Sequence, residues 1–373
     1  MRLGYFTMPL HPPARNYTEV LKEDRASIVL ADRLGFVEAF VGEHATDLAE
    51  PVTSCLSFIA SLIDSTDKIV LGSGTVNLPS THPVAVASQV AMIDHLLEGR
   101  FMFGISPGGL MSDAEAFGNL DRDRTAMFVE AIDHVLALWS GEAPYERNGG
   151  YWQISTRRTM NRQTGQGSIV KPYQLPHPPI VVTAVAPFSP GVAAAAARGW
   201  TPISANFLQP NWVASHWPKY QEGCANGGRP ADPRDWRVAK SIFVADDEAT
   251  AQRYAKGHDG PYAYYFQSLM TKLIGNGRPD LFKADREMPD SAITLDYVLD
   301  SLVICGTVDS VVEQLLAFRD RIGDFGTLLY AGHDWADPVL ARRSMELMAS
   351  EVMPRVNAAL DGRQSAAHRP SVA

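Results

Sequence analysis

Short apolar runs recur along this chain, and the intervals between them carry helical patterns. The stretch from Gly72 to Pro107 shows the rhythm best: a strand end, a polar loop with His82, an amphipathic helix, a tight turn at Gly99, then a second buried strand. The same reading predicts strands at 3–6, 37–41, 69–75, 101–105, 180–185, 201–203, 237–244 and 327–330. Helices are predicted at 19–34, 52–65, 84–97, 125–139, 191–198, 210–225 and 248–256. Parallel strands need crossovers of a dozen or more residues, usually helical, and eight such units close most readily as an α/β (β/α)8 TIM barrel. An open doubly wound sheet is the alternative.

Two segments exceed ordinary loop lengths. Residues 146–179 hold G-G-Y-W-Q-I-S and a proline-rich run, which predicts a hairpin and an extended approach to the fifth strand. Residues 257–294 cluster Tyr262, Tyr264, Tyr265 and Phe266 ahead of G-N-G-R-P. An insertion of that length in a compact domain reads as a mobile lid. A helix at 308–321, opened by Thr307 as N-cap, returns the chain to the last strand. The expected organisation is one barrel domain over residues 1–360 with a flexible tail at 361–373.

Composition narrows the function classes. With 46% hydrophobic and 20% charged residues among 373, the chain buries a large core, and a net charge of −9 argues against nucleic acid or an anionic membrane as partner. Three scattered cysteines, Cys55, Cys224 and Cys305, make neither a disulfide framework nor a zinc site. The first residues, M-R-L-G-Y-F-T-M-P, lack the apolar core of a signal peptide, and no run approaches ~18 apolar residues. A soluble protein of the reducing cytoplasm is expected.

In such barrels the carboxyl ends of the strands meet at one face, where active sites form. That rule gathers Glu43 and His44 after the second strand, Asn77 and His82 after the third, Ser106 and Asp113 after the fourth, and His333 and Asp334 after the eighth. The run T-A-V-A-P-F-S-P-G from Thr183 has the build of an anion site: Ser189 as N-cap, Pro190 at the first helical position and Gly191 allowing close approach to free backbone N–H groups. It reads equally as an ordinary capped helix. Arg124, at the start of another helix, offers a positive charge or simply a solvated side chain. G-S-G at 72–74 lacks the third glycine and the acidic residue of a dinucleotide fingerprint. His11, His44, His82 and His333 fall in no H-x-H or H-E-x-x-H pattern, so no metal is expected.

V-N-L-P-S-T-H-P at 76–83, I-D-H-L-L-E-G-R-F-M-F-G-I at 93–105, E-H at 43–44, C-G-T-V-D-S-V at 305–311 and E-V-M-P at 351–354 closely resemble the bacterial luciferase family of flavin-dependent monooxygenases, over almost the whole chain. S-P-G-G at 106–109 and S-I-F-V-A-D-D-E-A at 241–249 look most like its limonene and diketocamphane monooxygenase branch. The resemblance implies a barrel that binds reduced FMN, supplied by a separate flavin reductase, and uses O2 through a flavin C4a-hydroperoxide. The implied substrate is small and apolar, terpenoid-like, and the implied chemistry is hydroxylation, epoxidation or Baeyer–Villiger oxidation in a homodimeric enzyme. Alternatives are a deazaflavin-dependent oxidoreductase of the same superfamily and a non-catalytic flavin-binding protein.

By the same resemblance, His44, Glu43, His82 and Asp113 are the catalytic candidates. Gly74, Thr75, Asn77, Ser106, Arg124, Ala184, Ser189 and Gly191 are the flavin contacts, with a bulge and a cis peptide at Gly74 and Thr75. One departure stands out: Ser106 and Pro107 occupy the places of a reactive cysteine and an arginine in luciferase itself. The resemblance then implies that the arginine's phosphate contact is lost or replaced here, and that any role of the thiol is absent.

Overall fold

The structure is a computed structural model that describes residues 1–367. Its eight parallel strands make a closed barrel with flanking helices, the (β/α)8 arrangement that the alternating pattern implies. Two compact units make up the chain, residues 40–183 and residues 1–39 with 184–373.

In the unit 40–183, strand Val70–Ser73 pairs in parallel with Phe101–Ser106, Leu71 facing Phe101, and the latter pairs with Ile180–Ala184, Phe103 facing Ile180. The run predicted as one strand over 69–75 breaks at Gly74. The Gly74–Thr75 peptide bond is cis, as the resemblance implies, and Val76–Asn77 then resumes pairing with Ile105 and Ser106. Ser73 fixes the break: its hydroxyl donates to the Gly104 carbonyl and accepts from the Gly104 N–H, both at 2.8 Å. Only glycine fits at 104, because a Cβ there would lie 1.8 Å from the Ser73 carbonyl oxygen.

Helix Pro83–Leu96 buries Val86, Ala87, Val90 and Ile93, and its buried Asp94 accepts from the Gln174 backbone N–H at 2.8 Å and side-chain amide at 2.7 Å. That ties down the extended approach to the fifth strand. The predicted hairpin is present as Glu146–Asn148 against Gln153–Ser155. Glu130 on helix Arg124–Ser140 accepts from the N–H groups of Gly150, Tyr151 and Trp152 in its turn.

In the other unit, strand Arg2–Thr7 pairs with Thr327–Ala331, which pairs with Arg237–Val244, which also pairs with Thr201–Ser204. All eight residues of Arg237–Val244 are buried, as a parallel strand covered on both faces requires. Its carboxyl half carries a strand absent from the sequence reading, Val303–Gly306, with Ser241 facing Val303. The predicted helix 210–225 is two helices, Pro210–Ala214 and His216–Asn226, broken at Ser215, whose hydroxyl accepts from the Phe188 N–H and donates to the Trp212 carbonyl.

The segment expected to be a lid is not an open loop. Its aromatic half is helix Pro261–Gly275, with Tyr262, Ala263, Tyr265 and Phe266 buried. Tyr262 donates to the Ile242 carbonyl and Tyr265 to Asn206 Oδ1. The second half is stitched down by Gln209 and Trp212, which donate to the Phe282 and Lys283 carbonyls. The aromatic cluster is core, with Tyr262, Tyr265 and Phe266 at the i, i+3, i+4 spacing of one helix face. Of the tail expected at 361–373, helix Met353–Ala367 covers the first seven residues, while 368–373 lie outside the described residues.

Candidate active site

His44 stands three residues beyond strand Glu38–Val41, on a loop closed by the hydrogen bond from its own N–H to the Val52 carbonyl at 3.0 Å. Nδ1 of its ring lies 2.9 Å from Oδ2 of Asp113, which helix Met111–Ala116 presents in its first turn. The other Asp113 oxygen accepts from the Thr46 N–H at 2.9 Å and the Thr46 hydroxyl at 2.7 Å. Burial alone would raise the Asp113 pKa, but the hydrogen bonds from His44 and Thr46 and the His44 charge outweigh it and hold the carboxyl below its ordinary value. Asp113 is therefore ionised at neutral pH and fixes a proton on Nδ1 of His44. Nε2 of the same ring lies 3.3 Å from Oε2 of the buried Glu50. The sequence reading named His44 and Asp113, which the structure brings together, and did not name Thr46 or Glu50.

Glu43 does not join this pair. Its two oxygens accept from the backbone N–H groups of Cys55 at 3.0 Å and Asn77 at 3.1 Å, which ties the loops together. Beside it, Thr75 donates to the Ser106 hydroxyl at 2.7 Å, Ser106 donates to Asn77 Oδ1 at 2.8 Å, and the Gly108 N–H donates to Ser106 at 3.2 Å. The side chain that replaces the family's thiol is thus a structural link between the cis bond and the S-P-G-G loop. Arg124 reaches the same loop through the Gly108 carbonyl at 3.3 Å. His82 is exposed and caps helix Pro83–Leu96, its Nδ1 accepting from the Val84 N–H at 3.2 Å. It lines a separate cleft of about 520 Å³ with hairpin residues Gln153 to Thr156. Glu43 and His82 thus each hold backbone N–H groups of neighbouring segments.

In the other unit, Ser189 occupies the N-cap position of helix Pro190–Ala197 with Pro190 in its first turn, and the Ser189 side chain makes no cap hydrogen bond. A Cβ on Gly191 would meet only the Ser189 hydroxyl, at 3.4 Å. Hydroxyl, glycine and helix start together form a cradle suited to a phosphate monoester. Ala184 packs beneath it with Val192, Ala196, Tyr220 and Cys224.

His333 and Asp334 face different surroundings. His333 is buried with Nε2 at 3.0 Å from the Ser241 hydroxyl and its ring 4.0 Å from that of Tyr262; burial pushes its pKa down to about 3, so it is neutral. Asp334 pairs with His11 and Arg15, and His11 also reaches Asp24 at 3.1 Å. His11, Glu23 and Asp334 bring ligand atoms close enough for a metal ion. Arg15 already bridges Glu23 and Asp334, and it supplies the cation there. Burial opposes the charge on His11, but Asp24 and Asp334 outweigh it and raise its pKa to about 9, leaving no free ring lone pair at neutral pH.

That shift has a pH signature. Unfolded, His11 titrates near 6.5, so its ionic contribution is complete below about pH 6.5 and is lost as pH rises through about 9. Asp24 is itself pushed up by burial, which reduces the net gain. Chemical denaturation should show stability falling by about 1 to 2 kcal/mol across that window, and His11→Gln should flatten the decline. An unchanged slope in the variant would assign the decline to other groups.

The luciferase-like monooxygenase family model matches residues 1–324. The chain belongs to that family. It is 31% identical to 4-hydroxyprotoasukamycin monooxygenase of Streptomyces nodosus subsp. asukaensis, over 96% of this chain and 93% of that one. Limonene 1,2-monooxygenase of Rhodococcus erythropolis is 30% identical, over 96% and 88%. Among solved structures, the oxygenating constituent of 3,6-diketocamphane monooxygenase from Pseudomonas putida, a type II Baeyer–Villiger monooxygenase in complex with FMN, superposes with a TM-score of 0.86 at 26% identity, covering 95% of this chain and 98% of that one. This family member is an enzyme, a monooxygenase, and the limonene and diketocamphane likeness agrees with the branch that S-P-G-G suggested. No helix among the described residues is long and apolar enough to cross a membrane.

Proposed function

We propose that this protein is the oxygenase of a two-component system, receiving reduced FMN from a separate reductase and placing one atom of O2 into a small apolar, terpenoid-like substrate. The observation that carries the reading is the His44–Asp113 pair, held at 2.9 Å beyond the second strand of a luciferase-like barrel. Reduced flavin supplies the two electrons that divide O2 between product and water.

The residues do the rest. Asp113 fixes the tautomer and orientation of His44, leaving Nε2 as the atom that exchanges a proton. Thr46 locks Asp113, and Glu43 ties the His44 loop to Asn77 and Cys55, so the imidazole keeps its position without spending a catalytic group. The Ser189 hydroxyl and the start of helix Pro190–Ala197 would hold the FMN phosphate.

Ser189→Asp sets a carboxylate against that phosphate and should weaken reduced FMN binding by about tenfold to a hundredfold, read by anaerobic fluorescence titration. Unchanged affinity would move the phosphate elsewhere. The functional reading itself is tested by anaerobic loading with reduced FMN, admission of O2 and analysis of a terpenoid panel. An oxygenated product supports it. Binding and turnover with reduced deazaflavin, and none with FMN, would replace it with hydride transfer.

A further inference from the structure

We propose that Glu50 keeps the exchangeable proton on Nε2 of His44, making this histidine the proton donor of the site rather than its base. The argument begins at the other nitrogen. Asp113 is ionised and accepts from Nδ1, so Nδ1 carries a proton in every relevant state. Nε2 then holds either a second proton or a lone pair. It faces Glu50 Oε2 at 3.3 Å, with the two side chains only 16% and 6% exposed. A lone pair set against a carboxylate at that distance is repulsive, whereas a proton on Nε2 makes the contact an ion pair, although Glu50 Oε2 accepts no hydrogen bond in this arrangement.

Two carboxylates face the ring, Asp113 from helix Met111–Ala116 and Glu50 from the His44 loop itself. Both favour the imidazolium. Glu43, adjacent in sequence, directs its carboxylate to the N–H groups of Cys55 and Asn77 and adds no competing cation. The use of the proton rests on the oxygenase reading above. In that reaction the oxygen atom that does not enter the substrate leaves as water, and the Nε2 proton passes to it; its loss leaves the lone pair facing Glu50, which drives reprotonation from solvent. Glu50 acts through His44 and is a positioning residue.

The test separates the proton from its use. In flavin-free protein labelled with nitrogen-15, the His44 ring is followed by NMR from about pH 5 to 9, the range in which histidine ordinarily titrates. Both ring nitrogens should be protonated at neutral pH. In Glu50→Gln the Nε2 proton should be lost at neutral pH, with the midpoint lower by about one pH unit, a tenfold loss of proton affinity. Glu50→Asp should recover part of it. An unprotonated Nε2 at neutral pH in the unaltered protein overturns the proposal whatever the variants do, and so does a midpoint that Glu50→Gln leaves in place. With reduced FMN and O2, the high-pH limb of coupled turnover should move down with that midpoint. If the NMR result holds while His44→Ala turns over normally, the inference about the proton stands and the oxygenase role of His44 falls.

Discussion

His44→Ala lowers coupled product formation by about 10² to 10⁴, the range for loss of a positioned general acid or base. The cause is chemical rather than architectural. Asp113 keeps its hydrogen bonds from the Thr46 N–H and hydroxyl, and Glu43 still ties the loop to Cys55 and Asn77, so the loop stays closed although Asp113 and Glu50 lose their shared partner. With no proton donor beside the reacting oxygen, reduced flavin is consumed without oxygenating substrate, and hydrogen peroxide accumulates. The measurement is product formed per oxygen consumed, beside a thermal melt and a flavin titration of the same sample. Near-normal coupling in a folded, flavin-loaded variant would overturn the role of His44.

Why was this pair legible in the sequence when its closest acidic neighbour was not? His44 and Asp113 each follow a barrel strand at the face where sites form, and the family resemblance pointed to both. Glu50 has no such marker. Its carboxylate meets the ring only because the loop folds back, His44 N–H to Val52 carbonyl, and no spacing rule encodes that closure. Adjacency misled in the opposite direction at Glu43, since consecutive side chains in extended backbone point to opposite sides. His82 sat in the expected loop, but an imidazole before a proline also makes a serviceable helix cap, and that local demand took it.

The fold was read well where local and global signals agree. Arg237–Val244 was predicted with its observed bounds, its apolar end I-F-V running into the turn signal A-D-D, although Arg237, Lys240 and Ser241 are also buried within it. Val303–Gly306 escaped because it follows Leu302 of the preceding helix with no turn residue between them. The break at Ser215 is tertiary in origin, a hydroxyl shared between Phe188 and Trp212 that the helical pattern of 210–225 does not contain. The lid was read at 257–294 from the length of the segment, its glycines and its aromatic run. Its tyrosines are instead fastened to Ile242 and Asn206.

Arg237→Met destabilises the protein by about 3 to 5 kcal/mol, the cost of leaving one member of a buried ion pair alone. Arg237, on its fully buried strand, meets Glu38 through two hydrogen bonds, Nε to Oε1 at 2.7 Å and a terminal nitrogen to Oε2 at 3.1 Å, with the side chains 7% and 2% exposed. The guanidinium also donates to the Thr201 hydroxyl at 3.0 Å and the Asp235 carbonyl at 3.3 Å, so one truncation strips several acceptors at once. Glu38 then keeps an uncompensated charge in the interior or takes up a proton to lose it. Removing both partners is a different matter, because two apolar residues of similar volume need no desolvation of charge. The double variant Glu38→Leu with Arg237→Met should recover most of the loss, short of the Thr201 and Asp235 bonds. Denaturant titration of the two singles and the double gives the coupling directly. Additive losses would mean that the pair is not the unit holding these strands, and the stability of this face would then rest on the apolar packing around it.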